Sequence, residues 1–239
     1  MKLLPRLSAP NGQLKAAALF LCVCCAFLAG CEQEDSRGDP VEALTTGDHS
    51  SVPNEEVFQT VCAQCHGAKG EGKPELRAPS IAGFPEWYVV EQSAKFRSGM
   101  RGYHEEDIFG LQMRAIVLSM SEEQIQSAAK HIANLEPVLT ELPDSVSPKE
   151  IERGRDMYAN HCMECHRYNG KGEIVFRSAP LISLNREYLF DAMIRFKEGQ
   201  RGTAEGDIYG AKMVAATKDL SDQQITNIVN YIGALAHGD

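Results

Sequence analysis

Apolar residues recur along this chain in two similar rounds. Ile125, Ala128, Ala129, Ile132 and Leu135 fall at helical spacing, and so do Ile225, Ile228, Val229, Ile232 and Leu235. Both stripes open on the same signal, Ser121 with Gln124 and Ser221 with Gln224. Each is a capping box: the Ser oxygen takes a first-turn amide and the Gln side chain reaches back. Tyr88 to Phe96 and Tyr188 to Phe196 predict middle helices. Ser147 followed by Pro148 starts a further helix, with Pro in its first position, that runs into Cys162. Asn54 is placed to cap its counterpart ahead of Cys62. No strand period competes, so the pattern predicts an all-α protein. Residues 137–146, with Pro137 and Pro143, read as a linker.

The two rounds are copies. At an offset of 100 residues, Cys62, Cys65 and His66 fall on Cys162, Cys165 and His166. Arg77, Tyr88, Phe96 and Arg101 fall on Arg177, Tyr188, Phe196 and Arg201, and Met113 falls on Met213. Gly70 and Gly72 repeat as Gly170 and Gly172, which suggests tight turns. Pro79 and Pro180 are out of step by one residue. Two tandem domains, 54–136 and 147–239, are the simplest account. Each is of a length at which one core is marginal, so a large apolar cofactor would supply missing core.

The first thirty residues predict an export signal. Their charges are Lys2, Arg6 and Lys15, and the apolar run from Ala16 to Ala29 is short for a membrane span, which needs about 20 residues. Leu28, Ala29 and Gly30 precede Cys31, an order that resembles a bacterial lipobox, with Cys31 lipidated. The alternative is an ordinary secretory signal cut nearby. Residues 31–53 are polar and acidic and read as a flexible tether with a reach of about 25 Å.

Charge then separates the halves. The chain of 239 residues carries −9 in all, but residues 31–146 carry −11 and residues 147–239 carry −1. An acidic chain is a poor nucleic-acid binder. A one-sided charge serves either solubility or the steering of a basic protein partner.

The cysteine pairs carry the chemistry. Cys-x-x-Cys-His is the attachment signature of c-type haem, whose vinyl groups are linked to two thiols while the adjacent His lies under the iron. On that reading Cys62, Cys65 and His66 hold one haem, and Cys162, Cys165 and His166 the other. Zinc, disulfides and thioredoxin-like pairs are the rivals. Thioredoxin-like pairs want a βαβ context that is absent, and neither zinc nor a disulfide explains a His after both pairs or the repeated downstream Met. Met113 and Met213 are expected as sixth ligands because they alone among seven methionines after Cys31 keep the repeat offset. Met100, Met120 and His104 remain open in the first domain, and Met193 in the second. A ligating His usually donates its second ring N–H to a carbonyl, which the loops at Pro79 and Pro180 are placed to present. Arg77, Arg177, Arg101, Arg201, Tyr88 and Tyr188 are expected to face anionic haem propionates.

These residues resemble class I cytochromes c, in particular the dihaem cytochrome c4 family. The resemblance covers nearly all of residues 54–236. It implies two helical domains related by a pseudo-twofold, haems close across their interface, and His/Met ligation. It also implies periplasmic electron transfer, commonly toward a terminal oxidase, by a carrier without substrate chemistry. The rival is enzymatic: a cytochrome subunit of a dehydrogenase, or a dihaem catalyst with one open iron. The second domain departs from the pattern at Arg167, where the family usually has Gly, and at Leu181 to Leu184.

Overall fold

A computed structural model describes residues 48–238. The export signal, Cys31 and the tether as far as residue 47 lie outside the described residues. From Asp48 onward the polar segment already belongs to the fold. The His49 and Val52 carbonyls accept the Gln124 side-chain amide at 2.8 and 2.7 Å, and Val52 packs on the first core. The tether therefore ends before residue 53, its expected boundary.

The first copy opens with a π-helical turn, Phe58–Cys62, running into a short helix, α1 (Ala63–His66). Then come α2 (Glu86–Ser98), α3 (Ile108–Leu118) and α4 (Glu122–Ala133). The second copy repeats the order with α5 (Pro148–His161), α6 (Met163–His166), α7 (Arg186–Lys197), α8 (Ile208–Thr217) and α9 (Asp222–Ala236). Among the described residues, extended pairing is confined to two isolated bridges, Lys73 with Ala78 and Glu173 with Ser178. The structure is the all-α pair of tandem domains that the periodicity predicts.

The caps follow local chemistry. Ser121 and Ser221 form the expected capping boxes, and Ser147 forms a third with Glu150 around Pro148. Asn54 does not cap a helix. It sits in a turn, and its carbonyl accepts the Ser127 hydroxyl at 2.7 Å, so the helical run into Cys62 starts only after residue 56. Helices α3 and α8, which carry Met113 and Met213, start on Asp107 and Asp207, whose carboxylates accept the Gly110 and Gly210 amides.

Helix α9 lies along α5, and Gly154 allows the close approach. A Cβ there would run into the Asn227 carbonyl and Tyr231. The linker is not loose. Thr140 is fully buried: its amide donates to the Ile182 carbonyl at 2.9 Å, and its hydroxyl lies 2.7 Å from the Leu184 carbonyl.

The copies meet across a pseudo-twofold, and the contacts are reciprocal, as an isologous interface requires. Arg77 pairs with Asp191 and Arg177 with Glu91, the same positions exchanged. Lys95 pairs with Asp207 at 2.8 Å, and Arg195 with Asp107 at 3.6 Å. Tyr103 bonds Thr203, its own counterpart, at 2.7 Å.

Replacing a helix-interior Gly by Ala ordinarily gains about 1 kcal/mol. Gly154→Ala is expected to do the reverse, losing about 1–2 kcal/mol because the methyl overpacks a backbone carbonyl. Denaturant unfolding of the haem-loaded protein reads the sign directly.

Candidate functional site

Each cysteine pair sits where a helical turn ends against a glycine-bearing loop. His66 closes α1 and His166 closes α6. The chain then turns through a left-handed φ, +82° at Gly67 and +68° at Arg167. The second copy thus keeps the turn that Gly makes easy, at the backbone cost of order 1–3 kcal/mol that a non-Gly residue bears there. The Tyr158 hydroxyl, donating to the Arg167 carbonyl at 2.7 Å, holds it in place.

The loop folds back to meet the histidine. Ile81 donates to the Gly70 carbonyl at 2.8 Å, and Leu181 donates to that of Gly170 at 2.7 Å. That register brings the Pro79 carbonyl to 2.8 Å from His66 Nδ1 and the Ala179 carbonyl to 3.0 Å from His166 Nδ1. The Pro180 carbonyl expected in this role is one residue too far along. Backbone pairing at Gly170 preserves the offset of 100, and the proline does not. Because a carbonyl only accepts, Nδ1 carries the hydrogen in both rings. Burial disfavours the imidazolium in both and outweighs the opposing pull of the carbonyl. Each ring is therefore neutral, with a free lone pair on Nε2, the form that ligates a metal.

Both rings line one cavity of about 680 Å³ that is walled by both copies. Cys62, Cys65, Cys162 and Cys165 line it, two from each copy. Met113 and Met213 line it as well. Of the alternatives, Met120 and Met193 also reach the cavity, but their repeat counterparts are Leu220 and Ser93. Met100 and His104 are not among its walls. Met100 lies toward Gly206, and His104 Nδ1 accepts the Glu106 amide at 3.3 Å. Among the described residues no three His, Cys, Asp or Glu side chains gather to hold a metal ion, so the zinc reading finds no ligand shell.

The arginines divide into two kinds. Arg77 and Arg177 line the cavity too, but their guanidinium groups pair with Asp191 and Glu91 of the opposite copy, and about half of their side-chain surface lies in solvent. The carboxylate of the opposite copy is a contact that one domain alone does not reveal. Arg101 and Arg201 are half-buried on the cavity wall, 4.1 and 4.5 Å over the Phe96 and Phe196 rings. Both lie 3.4 Å from the Tyr188 hydroxyl, and Arg101 donates to Gln92 at 2.9 Å. Among the described residues neither is paired with a carboxylate. The excess positive charge shows on Tyr188. Burial pushes its phenol up, yet Arg201, Arg101 and Arg195 together outweigh burial and bring it down to about 7. In Tyr88 burial wins and the phenol goes up.

An apolar cavity with paired cysteine sulfurs, neutral histidines, thioethers and two guanidiniums outside any carboxylate ion pair suits an anionic iron macrocycle. The thiols match its vinyl groups, nitrogen and sulfur match its iron, and the arginines match its propionates. The interface residues Glu91, Lys95, Asp107, Asp191, Arg195 and Asp207 escaped the sequence reading. Their signal was present: each cation and each carboxylate keeps its charge at the offset of 100.

Known proteins agree with this geometry. The "Thiosulfate dehydrogenase electron acceptor" of Thiomonas intermedia is 26% identical over 179 residues, 72% of this chain and 77% of that protein. The "Cbb3-type cytochrome c oxidase subunit FixP" of Sinorhizobium medicae is 30% identical over 119 residues, 48% of this chain and only 38% of that one. The structure of reduced cytochrome c4 from Pseudomonas stutzeri superposes with a TM-score of 0.61 at 23% identity, covering 75% of this chain and 95% of that one. The cytochrome c family description matches twice, at residues 53–136 and 151–236. With a cysteine pair and a carbonyl-held histidine in each match, the chain belongs to the cytochrome c family and carries two covalently attached haem c groups, one per domain.

Proposed function

We propose that this dihaem electron-transfer protein is an exported, lipid-anchored relay of the cytochrome c4 type. His66 with Met113, and His166 with Met213, hold the two irons. One observation carries the reading: both histidines and both repeat-related methionines line a single cavity spanning the two copies. Each bound haem supplies one-electron exchange at its iron.

The chain's own residues do the rest. Pro79 and Ala179 fix the tautomer and aim of the histidines. The thioethers of Met113 and Met213 would favour the reduced iron and raise its potential. Arg101 and Arg201, with Tyr88 and Tyr188, face the propionates, and their positive charge acts in the same direction. The signal (1–30), the lipid on Cys31 and the tether keep the two domains at the periplasmic face of a membrane. Among the described residues no helix is long and apolar enough to cross one. The acidic first domain faces a redox protein with basic docking groups. Similarity to a protein named for accepting electrons from a thiosulfate dehydrogenase supports a dehydrogenase as donor, and similarity to an oxidase subunit supports an oxidase as acceptor.

Met113→Ala and Met213→Ala are each expected to remove half of the near-infrared Met–iron band. If either leaves the band whole, that methionine is not a ligand. Carbon monoxide is not expected to bind the reduced wild type; binding would favour a dihaem catalyst with an open iron. Arg101→Gln and Arg201→Gln are expected to lower a haem potential, because each removes a positive charge that opposes the ferric state; spectroelectrochemical titration measures this. Cys31→Ser is expected to move the protein from the membrane fraction to the soluble exported fraction, read by haem staining of each.

A further inference from the structure

Helix α3 has an outer face that the fold does not use. Met113, Ile116 and Val117 point into the cavity wall and core. On the other side Ile108 and Leu118 are 55% exposed and Leu111 38%, at spacings that place them with Ala115 along one face. The stripe is about 15 Å long. A helix apolar on both sides is expected inside a core or against a partner, not in water.

The second copy serves as an internal control. Helix α8 has the same cap on Asp207, the same inward Met213 and the same place beside α7. Its outer face keeps Ile208 but carries Ala211 and Ala215, then Lys218 just past its end, and Lys212 adds a second cation. The fold therefore does not require an apolar outer face on this helix. Leu111 and Leu118 are specific to the first copy.

Charge selects what covers the stripe. Glu105 and Glu106 precede the helix, and Glu122 and Glu123 follow it, all exposed. The single charge within the helix, Arg114, lies against Gly99. A second copy meeting this one by the same face would bring carboxylates against carboxylates, and an anionic lipid surface would be repelled likewise. We propose that the outer face of α3 is a docking surface for a redox protein that presents an apolar patch edged by Lys and Arg. Electrons then exchange on the Met113 side of the first haem. This rests on the reading above that the first domain faces a basic partner, and it places that contact.

The test is stopped-flow electron transfer from reduced mitochondrial cytochrome c, a lysine-rimmed probe, to the full haem-loaded protein. Leu111→Ala with Leu118→Gln is expected to slow the second-order rate about tenfold, the effect of losing about 1.4 kcal/mol of contact energy. The rate with hexaammineruthenium, a small cationic reductant, and the haem spectrum are expected to stay unchanged, which shows that the sites are intact. Leu118→Lys, with the residue the second copy carries there, is the second variant and is expected to slow the protein probe at least as much. An unchanged protein-probe rate in both variants overturns the proposal. If the wild-type rate fails to fall as salt is raised, the basic-partner reading itself is wrong. A salt-sensitive wild type with insensitive variants defeats the stripe alone. Sedimentation showing a wild-type dimer that the variants dissolve would make a second copy the occupant and overturn the assignment.

Discussion

A carboxylate on one copy answers a cation on the other, and then the same pairing is made with the copies exchanged. This reciprocity is the constraint that organises the molecule. It fixes α2 against the α8 cap through Lys95 and Asp207, and α7 against the α3 cap through Arg195 and Asp107. Those caps begin the helices that carry Met113 and Met213. Interface and iron sites are thus not separate features. The residue that starts the methionine helix is also the residue that receives the opposite domain, so the two haem pockets are set by one act of packing.

Much of this was legible because the chain repeats itself. The capping boxes at Ser121 and Ser221 and the helical stripes behind them announced their helices, since both depend on neighbours three and four residues away. The cysteine–histidine motifs were equally local. Asn54 was misread because the same cap chemistry also suits a turn, and only the docking of its carbonyl on Ser127 decided between them. Pro180 was misread because a proline looks like a landmark, whereas the loop is registered by backbone hydrogen bonds at Gly170.

Arg77 and Arg177 illustrate what one domain's sequence lacks. Within a single copy, a repeated arginine after the haem motif suits an anionic cofactor. The competing anions, Asp191 and Glu91, belong to the other copy and lie more than eighty residues away. Arg101 and Arg201 look the same in sequence, yet among the described residues their hydrogen bonds go to a phenol and, for Arg101, an amide, and each lies over an aromatic ring. Which of the cavity's arginines carries a carboxylate partner is a property of the assembled pair.

The buried Thr140 adds a consequence for how the interface is held. Because the linker is stitched to the second copy's own loop, the two halves are partners within one chain. Their effective concentration is of the order of millimolar for a short connection, far above that of two free domains. Closing the seam, in which apolar residues of both copies share one core beside the largely buried Lys95–Asp207 and Arg195–Asp107 pairs, therefore costs far less association entropy than joining two free domains would.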